Sequence, residues 1–291
     1  MYSDPIIAIV TFNPDFEHLN KTFSSLKGFN IILVDNSCNV EIKNKLQSLG
    51  SQNSNLKCCI FMKKNNGIAD AFNQAAMTAM NQKFKYILFL DQDTKIDDAK
   101  CLKKLVKEYQ SINDTHKIAL GCSFINAQTA KPYFLKYKLF SRKYYADSGV
   151  VEVDSLITSG MLVDLEKFIQ SGMFDEKLFM DFVDMEWSQR VKHLGYKIFG
   201  TFNIKLFHPI GQTFKLLNQS FPFHSPLRTK FMVKNLIILL TYRHVSFKFK
   251  YHESLQMLLK FFFYITFPKH RYAYLKNMLV GLWSGIRKKL T

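Results

Sequence analysis

Four short apolar runs in the first hundred residues, each ending in a polar cluster, constrain the fold of this chain more than any other feature. Ile6–Val10, Ile31–Val34 and Tyr86–Leu90 are rich in β-branched or aromatic residues and bounded by turn residues, and Cys58–Met62 is a fourth, shorter run. Helix-compatible stretches separate them: His18–Leu26 behind the Asn13-Pro14 turn, Val40–Leu49 behind Asn36-Ser37, and the Ala-rich Ile68–Met80. Strand alternating with helix predicts an α/β fold with a doubly wound parallel sheet, whose ligands sit beyond the carboxyl ends of the strands. The polar clusters lie there: Thr11-Phe12-Asn13, Asp35-Asn36-Ser37, Asn65-Asn66-Gly67 and Asp91-Gln92-Asp93. If the strands are parallel, all four converge on one edge.

Beyond Lys100 the pattern loosens. Helices are expected over Leu102–Tyr109, Leu165–Gln170 and Asp184–Leu194, and strands near Ile118–Ser123, Val150–Ile157 and Ile198–Ile204. From Pro226 the chain turns aromatic and basic, with helices expected over Leu236–Leu240, Leu255–Phe267 and Tyr272–Lys289. Charges such as Lys260 interrupt their apolar runs, which fall short of the ~20 apolar residues of a spanning helix. These helices suit lying on a membrane and not crossing it.

At 291 residues and 47% hydrophobic content the chain can bury a large core, which argues against disorder. Its cysteines, Cys38, Cys58, Cys59, Cys101 and Cys122, are odd in number and lack metal-ligand spacing, so they read as reduced packing thiols. No basic-then-apolar leader precedes Ile6, and the expected location is the cytoplasm. The net charge of +17 is concentrated. From Arg228 to Thr291 there are thirteen Lys/Arg against one acid, Glu253, a net +12. Such a tail suits nucleic acid, an anionic membrane or an anionic substrate. Nucleic acid leaves the acidic strand ends unexplained, because carboxylates repel phosphate unless a metal intervenes, and the chain has no zinc spacing or RNA-binding motif.

Asp91 and Asp93 leave a rigid strand within three positions of each other. A divalent cation such as Mg²⁺ takes one or two protein carboxylates together with substrate phosphates, and would neutralise charge on a departing diphosphate. A second acidic group follows at Asp181, Asp184 and Glu186. On a helix Glu186 pairs with Arg190 at i, i+4, which leaves a carboxylate free for general-base work.

In order along the chain, Val10-Thr11-Phe12-Asn13, Val34-Asp35-Asn36-Ser37, Asn66-Gly67-Ile68-Ala69 with Ala71 and Asn73, Asp91-Gln92-Asp93, Ile157-Thr158-Ser159-Gly160, Phe174-Asp175-Glu176, Asp184-Met185-Glu186-Trp187 with Arg190, and His208-Pro209-Ile210-Gly211 form a highly specific set. The set, from roughly Ile6 to Asn235, resembles a family 2 glycosyltransferase of the GT-A fold, most of all the bacterial rhamnosyltransferase branch that builds O-antigen and capsular polysaccharide. One departure is Val183-Asp184, where the family commonly carries Glu-Asp. The segment Arg228 to Asn235 is similar, in weakened form, to a basic-aromatic segment of the same enzymes.

The resemblance implies a GT-A catalytic domain over 1–225, with a nucleotide-sugar half (1–100) and an acceptor half (101–225), and a helical basic-aromatic extension over 226–291. It implies nucleotide-sugar contacts from Thr11, Asn13, Asp35, Asn66, Gly67, Asn73, Asp91 and Gln92, and a metal site of Asp93, Asp91 and His208 for Mg²⁺ or Mn²⁺. Asp184 would be the base of an inverting displacement, with Asp181, Glu186 and Arg190 as other catalytic or acceptor-binding residues. Ser159, Gly160, Trp187, Arg228 and Lys234 would meet the acceptor or the diphosphate. The implied donor is dTDP-rhamnose, with UDP-linked hexosyl or galactofuranosyl donors as the alternative, and the implied acceptor is a lipid-linked saccharide. The basic extension suits peripheral attachment to the inner membrane face or self-association. A nucleotidyltransferase would need a Gly-rich, Arg-containing loop after the first strand, which Thr11-Phe12-Asn13-Pro14 is not, and an inactive scaffold would not need Asp93, Asp184 and His208.

Overall fold

The expected alternation is present in the computed structural model, which describes residues 4–96, 98–125, 131–207, 213–216, 219–222 and 224–289. The first hundred residues run β1 (Ile6–Thr11), α1 (Phe16–Ser25), β2 (Ile31–Asp35), α2 (Val40–Ser51), β3 (Leu56–Phe61), α3 (Ile68–Asn81) and β4 (Tyr86–Asp91). Asp15 and Asn39 start α1 and α2 by accepting from the first free backbone N–H groups, as N-caps do. The chain continues through α4 (Lys100–Ser111), β5 (Lys117–Ile125), β6 (Tyr133–Leu135), β7 (Lys143–Tyr145), β8 (Val150–Glu152), β9 (Met161–Asp164), α5 (Leu165–Gln170) and α6 (Val183–His193). It ends with β10 (Lys197–Phe207), β11 (Thr213–Leu216), β12 (Gln219–Pro222), α7 (Pro226–Thr241), α8 (Phe247–Thr266) and α9 (Arg271–Lys289).

Among the described residues the main sheet has eight strands in the order β3-β2-β1-β4-β9-β5-β10-β8. The first four are parallel, as the sequence pattern requires, but β9 enters antiparallel between β4 and β5. The expected strand over Val150–Ile157 stops at Glu152, and Met161–Asp164 takes the place beside β4. Gly160 makes that entry possible: its φ is +69° and its N–H donates to Phe89 O at 2.8 Å. Both faces of the central strands are covered. Ile7, Ile9, Leu88 and Leu90 pack with Leu19, Phe23 and Leu105, while Ile6, Ala8, Ile87 and Phe89 pack with Phe72, Phe168, Phe174 and Trp187. This two-sided burial is why the strands read as unbroken apolar runs and not as alternating ones.

The C-terminal helices close against this body. A Cβ at Gly281 of α9 would meet Lys230 O of α7 at 2.4 Å, so glycine there permits close backbone approach. Among the described residues no helix is long and apolar enough to cross a membrane.

Candidate active site

Register fixes one wall of the site. Val10 lies opposite Asp91 and Thr11 opposite Asp35, so the residues that follow β1, β2 and β4 emerge at one level of the sheet edge. They open into a cavity of 510 Å³ lined by Thr11, Phe12, Asn36, Asp91, Gln92 and Asp93. This rim is cross-braced. Gln92 Oε1 accepts from Phe12 N–H at 2.8 Å, and Thr11 Oγ1 and Ser37 Oγ donate to Asp35 Oδ1 at 2.9 and 2.7 Å. Asn13 N–H donates to Ser37 Oγ at 2.8 Å.

The facing wall consists of Phe179, Met180 and Asp181 with Leu227, Arg228 and Phe231 of α7. Its backbone is unusual: Phe179, Asp181 and Phe182 have φ of +60°, +59° and +63°, a region that costs non-glycine residues energy. Asn235, fully buried on α7, holds this turn. Its Nδ2 donates to the carbonyls of Leu178, Met180 and Asp181 at 2.6, 2.6 and 2.9 Å. The walls meet at Gly67, where φ is +96° and a Cβ would lie 2.2 Å from Phe179 O. Only glycine fits there. Arg228 forks onto Asp181, with Nε donating to Oδ1 and Oδ2 at 3.0 and 3.1 Å and Nη2 to Oδ1 at 2.8 Å. Phe231 stacks on Phe179 at 4.8 Å.

Asp184 stands beside the cavity, in the first turn of α6, and one short segment ties it to Asp91. Thr158 N–H donates to Asp184 Oδ2 at 3.1 Å, and the Oγ of the next residue, Ser159, accepts from Asp91 N–H at 3.2 Å. Met185 N–H adds a 2.8 Å bond to Asp184 Oδ1. Burial pushes the Asp184 carboxyl up to about 6 against these two bonds. Asp91 is pushed up to about 7, first by burial and then by the charges of Asp93 and Asp184. Among the described residues no three metal-type side chains converge. Asp91 and Asp93 nevertheless fit a hard divalent cation, which takes one or two protein carboxylates and whose charge would reverse the strain on Asp91.

A family model described as Glycosyl transferase family 2 matches residues 6–152. Over 295 aligned residues the chain is 32% identical to the "dTDP-rhamnosyl transferase RfbF" of Shigella flexneri, covering 99% of this chain and 97% of the relative. The chain belongs to glycosyltransferase family 2. Its fold is similar to the solved structure described as "Crystal structure of GalNAc-T7 with UDP, GalNAc and Mn2+", with a TM-score of 0.55 over 90% of this chain and 14% identity. This chain spans 57% of the length of that one, and the likeness is one of fold alone.

In this glycosyltransferase the residues singled out from sequence separate by position. Thr11, Gly67, Asp91, Gln92, Asp93, Asp181 and Arg228 line the cavity. Asn13, Asp35, Ser159 and Asp184 stand directly behind them, bonded as above, and Gly160 shapes the turn behind Asp91. Asn66 is one step removed, its Nδ2 donating to Asp70 Oδ2 at 2.6 Å. Lys234 is buried, with Nζ donating to Lys177 O at 3.1 Å. Asn73, Glu186 and Arg190 do not line this cavity but a second one, of 630 Å³, and Trp187 lies in the core. Asn73 brackets Phe174, accepting from its N–H at 3.0 Å and donating to its carbonyl at 2.9 Å. Trp187 is a core residue beneath Ser171. Glu186 is buried, accepting from Arg190 Nε at 2.9 Å and facing His244 Nε2 at 2.8 Å. Burial pushes its carboxyl up, but the bonds to His244 and Arg190 outweigh this and hold it below the usual range. His208 lies outside the described residues. Phe12, Asn36 and Asn65 were legible only as members of the strand-end clusters, and Phe231 and Asn235 only as part of the Arg228 to Asn235 segment; Phe179, Met180 and Leu227, apolar residues in a loop or on α7, left no signal in the sequence.

Proposed function

We propose that this glycosyltransferase moves L-rhamnose from dTDP-rhamnose to a hydroxyl of a lipid-linked saccharide, with inversion, in assembly of a surface polysaccharide of the O-antigen or capsule kind. The observation that carries the chemistry is the grouping of three carboxylates at one cavity, Asp91 and Asp93 on its lining and Asp184 linked to Asp91 through Thr158 and Ser159. The donor assignment is supported by the 32% identity, across 99% of the chain, to a relative named as a dTDP-rhamnosyl transferase.

In this reading Asp184 takes the proton of the acceptor hydroxyl as its oxygen bonds to the anomeric carbon and the nucleoside diphosphate departs with the electron pair of the broken bond. A carboxyl raised to about 6 is suited to that work near neutral pH, and the bonds from Thr158 and Met185 hold it in one orientation. Arg228, half-exposed at the cavity wall, places a cation where the diphosphate or an anionic acceptor would lie. Asn36 has a buried Oδ1 with no partner among the described residues, an acceptor suited to a nucleoside N–H or hydroxyl. A divalent cation, Mg²⁺ or Mn²⁺, held by Asp93 with Asp91, would supply charge neutralisation on the leaving diphosphate.

The test is a donor panel of dTDP-rhamnose, UDP-galactofuranose and UDP-hexoses with membrane-extracted lipid-linked acceptor, with and without EDTA. Product is expected from dTDP-rhamnose alone, with loss of about 10²–10³-fold in Asp93→Ala and in EDTA. Transfer from a UDP-sugar in its place overturns the donor assignment. Undiminished transfer both in EDTA and in Asp93→Ala removes the cation.

A further inference from the structure

The C-terminal helices carry a surface that the reaction does not use. On α8 the exposed residues Phe247, Tyr251, Leu255, Leu258, Leu259 and Phe262 recur at helical spacing along one face. Phe249, His252, Glu253 and Tyr264 are buried on the other, against the body. On α9 the exposed face carries Tyr272, Leu279, Trp283 and Ile286, while Tyr274 and Met278 are buried. Both helices therefore turn an apolar stripe towards solvent. Single exposed leucines are ordinary on any protein, whereas a contiguous stripe on two neighbouring helices marks an interaction surface.

Charge decides what covers it. No Asp or Glu follows Glu253 in the chain. Glu253 itself is buried, accepting from Arg142 Nη1 at 2.7 Å and from Tyr137 OH at 3.1 Å. The exposed charges on α8 and α9 are all cations among the described residues, with Lys248, Arg271, Lys276 and Arg287 among them. A second copy of this face would bring like charges together without a carboxylate to meet them. An anionic lipid surface complements both features at once. Neither helix is apolar enough to cross a bilayer, and Trp283 and Tyr272 are the residue types that settle at the headgroup level.

We infer that the outer faces of α8 and α9 dock in the plane of an anionic lipid bilayer, with the Phe247–Phe262 and Tyr272–Ile286 stripes in the headgroup–acyl boundary and the flanking Lys/Arg on anionic headgroups. The consequence reaches the active site through packing. α9 lies against α7 at Gly281 and Gly285, and α7 carries Arg228 and Phe231 into the cavity wall. Docking would hold that wall next to the surface. The proposal does not depend on which sugar is transferred.

The chain has two tryptophans, Trp187, which is fully buried, and Trp283, which is 58% exposed, so tryptophan fluorescence reports the stripe against a constant background. The full chain is mixed with phosphatidylcholine vesicles, with or without phosphatidylglycerol, and with acyl chains brominated in a parallel set. Flotation with phosphatidylglycerol vesicles, a blue shift and quenching by brominated chains are expected. Leu258→Glu combined with Phe262→Glu should lose all three while the melting temperature is unchanged. Trp283→Phe should still float but lose the quenching. Failure to float on phosphatidylglycerol vesicles at low salt overturns the inference, as does flotation with Trp283 unquenched. A lipid-free dimer in sedimentation velocity that the double variant abolishes would assign the stripes to a second copy instead.

Discussion

The strand wall of the cavity is held by a ladder of parallel strands, whereas the facing wall hangs on a few side-chain bonds between distant parts of the chain. Thr11, Asn36 and Asp91 are placed by the backbone pairing of β1, β2 and β4, and loss of one side chain leaves that pairing in place. The Phe179–Phe182 turn sits in a strained conformation because Asn235, 54 to 57 positions away, bonds two of its carbonyls and that of Leu178 just before it, and because Gly67 leaves room for it. One wall is over-determined and the other depends on single residues. Strained turns that persist only with such support are typical of sites that hold a substrate.

The largest expected effect falls at Asp184, which Thr158 and Ser159 tie to Asp91 of the strand wall. Asp184→Asn should lower kcat by about 10²–10⁴-fold with little change in the donor KM. In the wild type the raised carboxyl means that the base form is present above about pH 6 and is lost as pH falls through it, so kcat should drop about tenfold per pH unit below that point. Near-normal kcat in the variant, or a profile with no acid limb near 6, would place the base elsewhere. Next comes the contrast itself. Asn235→Ala should cost about 1–3 kcal/mol, by leaving buried carbonyls unpaired, and should depress transfer, while Thr11→Val, which deletes one bond within the strand wall, should cost about 1 kcal/mol. Denaturant midpoints of the two variants measure the difference, and a larger loss in Thr11→Val would break the comparison. The smallest effect is expected at Arg228→Lys. Arg228 is half-exposed and lysine keeps a cation beside the more shielded Asp181, so stability should change by less than about 1 kcal/mol, but the fork onto Asp181 is lost and the acceptor or donor KM should rise. Unchanged steady-state constants would remove Arg228 from the site.

Legibility in the sequence follows the same division. The strand-end clusters were readable because apolar runs of strand length, separated by helix-length stretches, admit few arrangements other than a parallel sheet. Once the sheet is parallel, Thr11, Asp35 and Asp91 share a level. The Glu186–Arg190 pair was also readable, being a matter of helical spacing, and the structure forms it. The same spacing could not show that His244 would join it, with Nε2 2.8 Å from Glu186 Oε1. Asn73 illustrates the limit: the family resemblance places it at the nucleotide sugar, and no local pattern shows that its side chain brackets the backbone of Phe174, 101 positions later. Strand β9 escaped notice because its order in the sheet is set by the Gly160 turn and by pairing with β4 and β5, neither of which is a local pattern.

By itself, then, the sequence determined the α/β class, the parallel half-sheet, the level at which Asp91 and Asp93 emerge and the concentration of positive charge after Arg228. These depend on periodicity and composition, which act over a few turns of chain. Only the tertiary structure decided that α7 supplies a wall of the site, that Asn235 and Gly67 sustain a strained turn opposite the carboxylates, and that α8 and α9 present their apolar stripes outward. Those outcomes depend on which surfaces meet after the chain has folded back on itself, and side-chain bonds across more than fifty residues leave no periodic trace in the sequence.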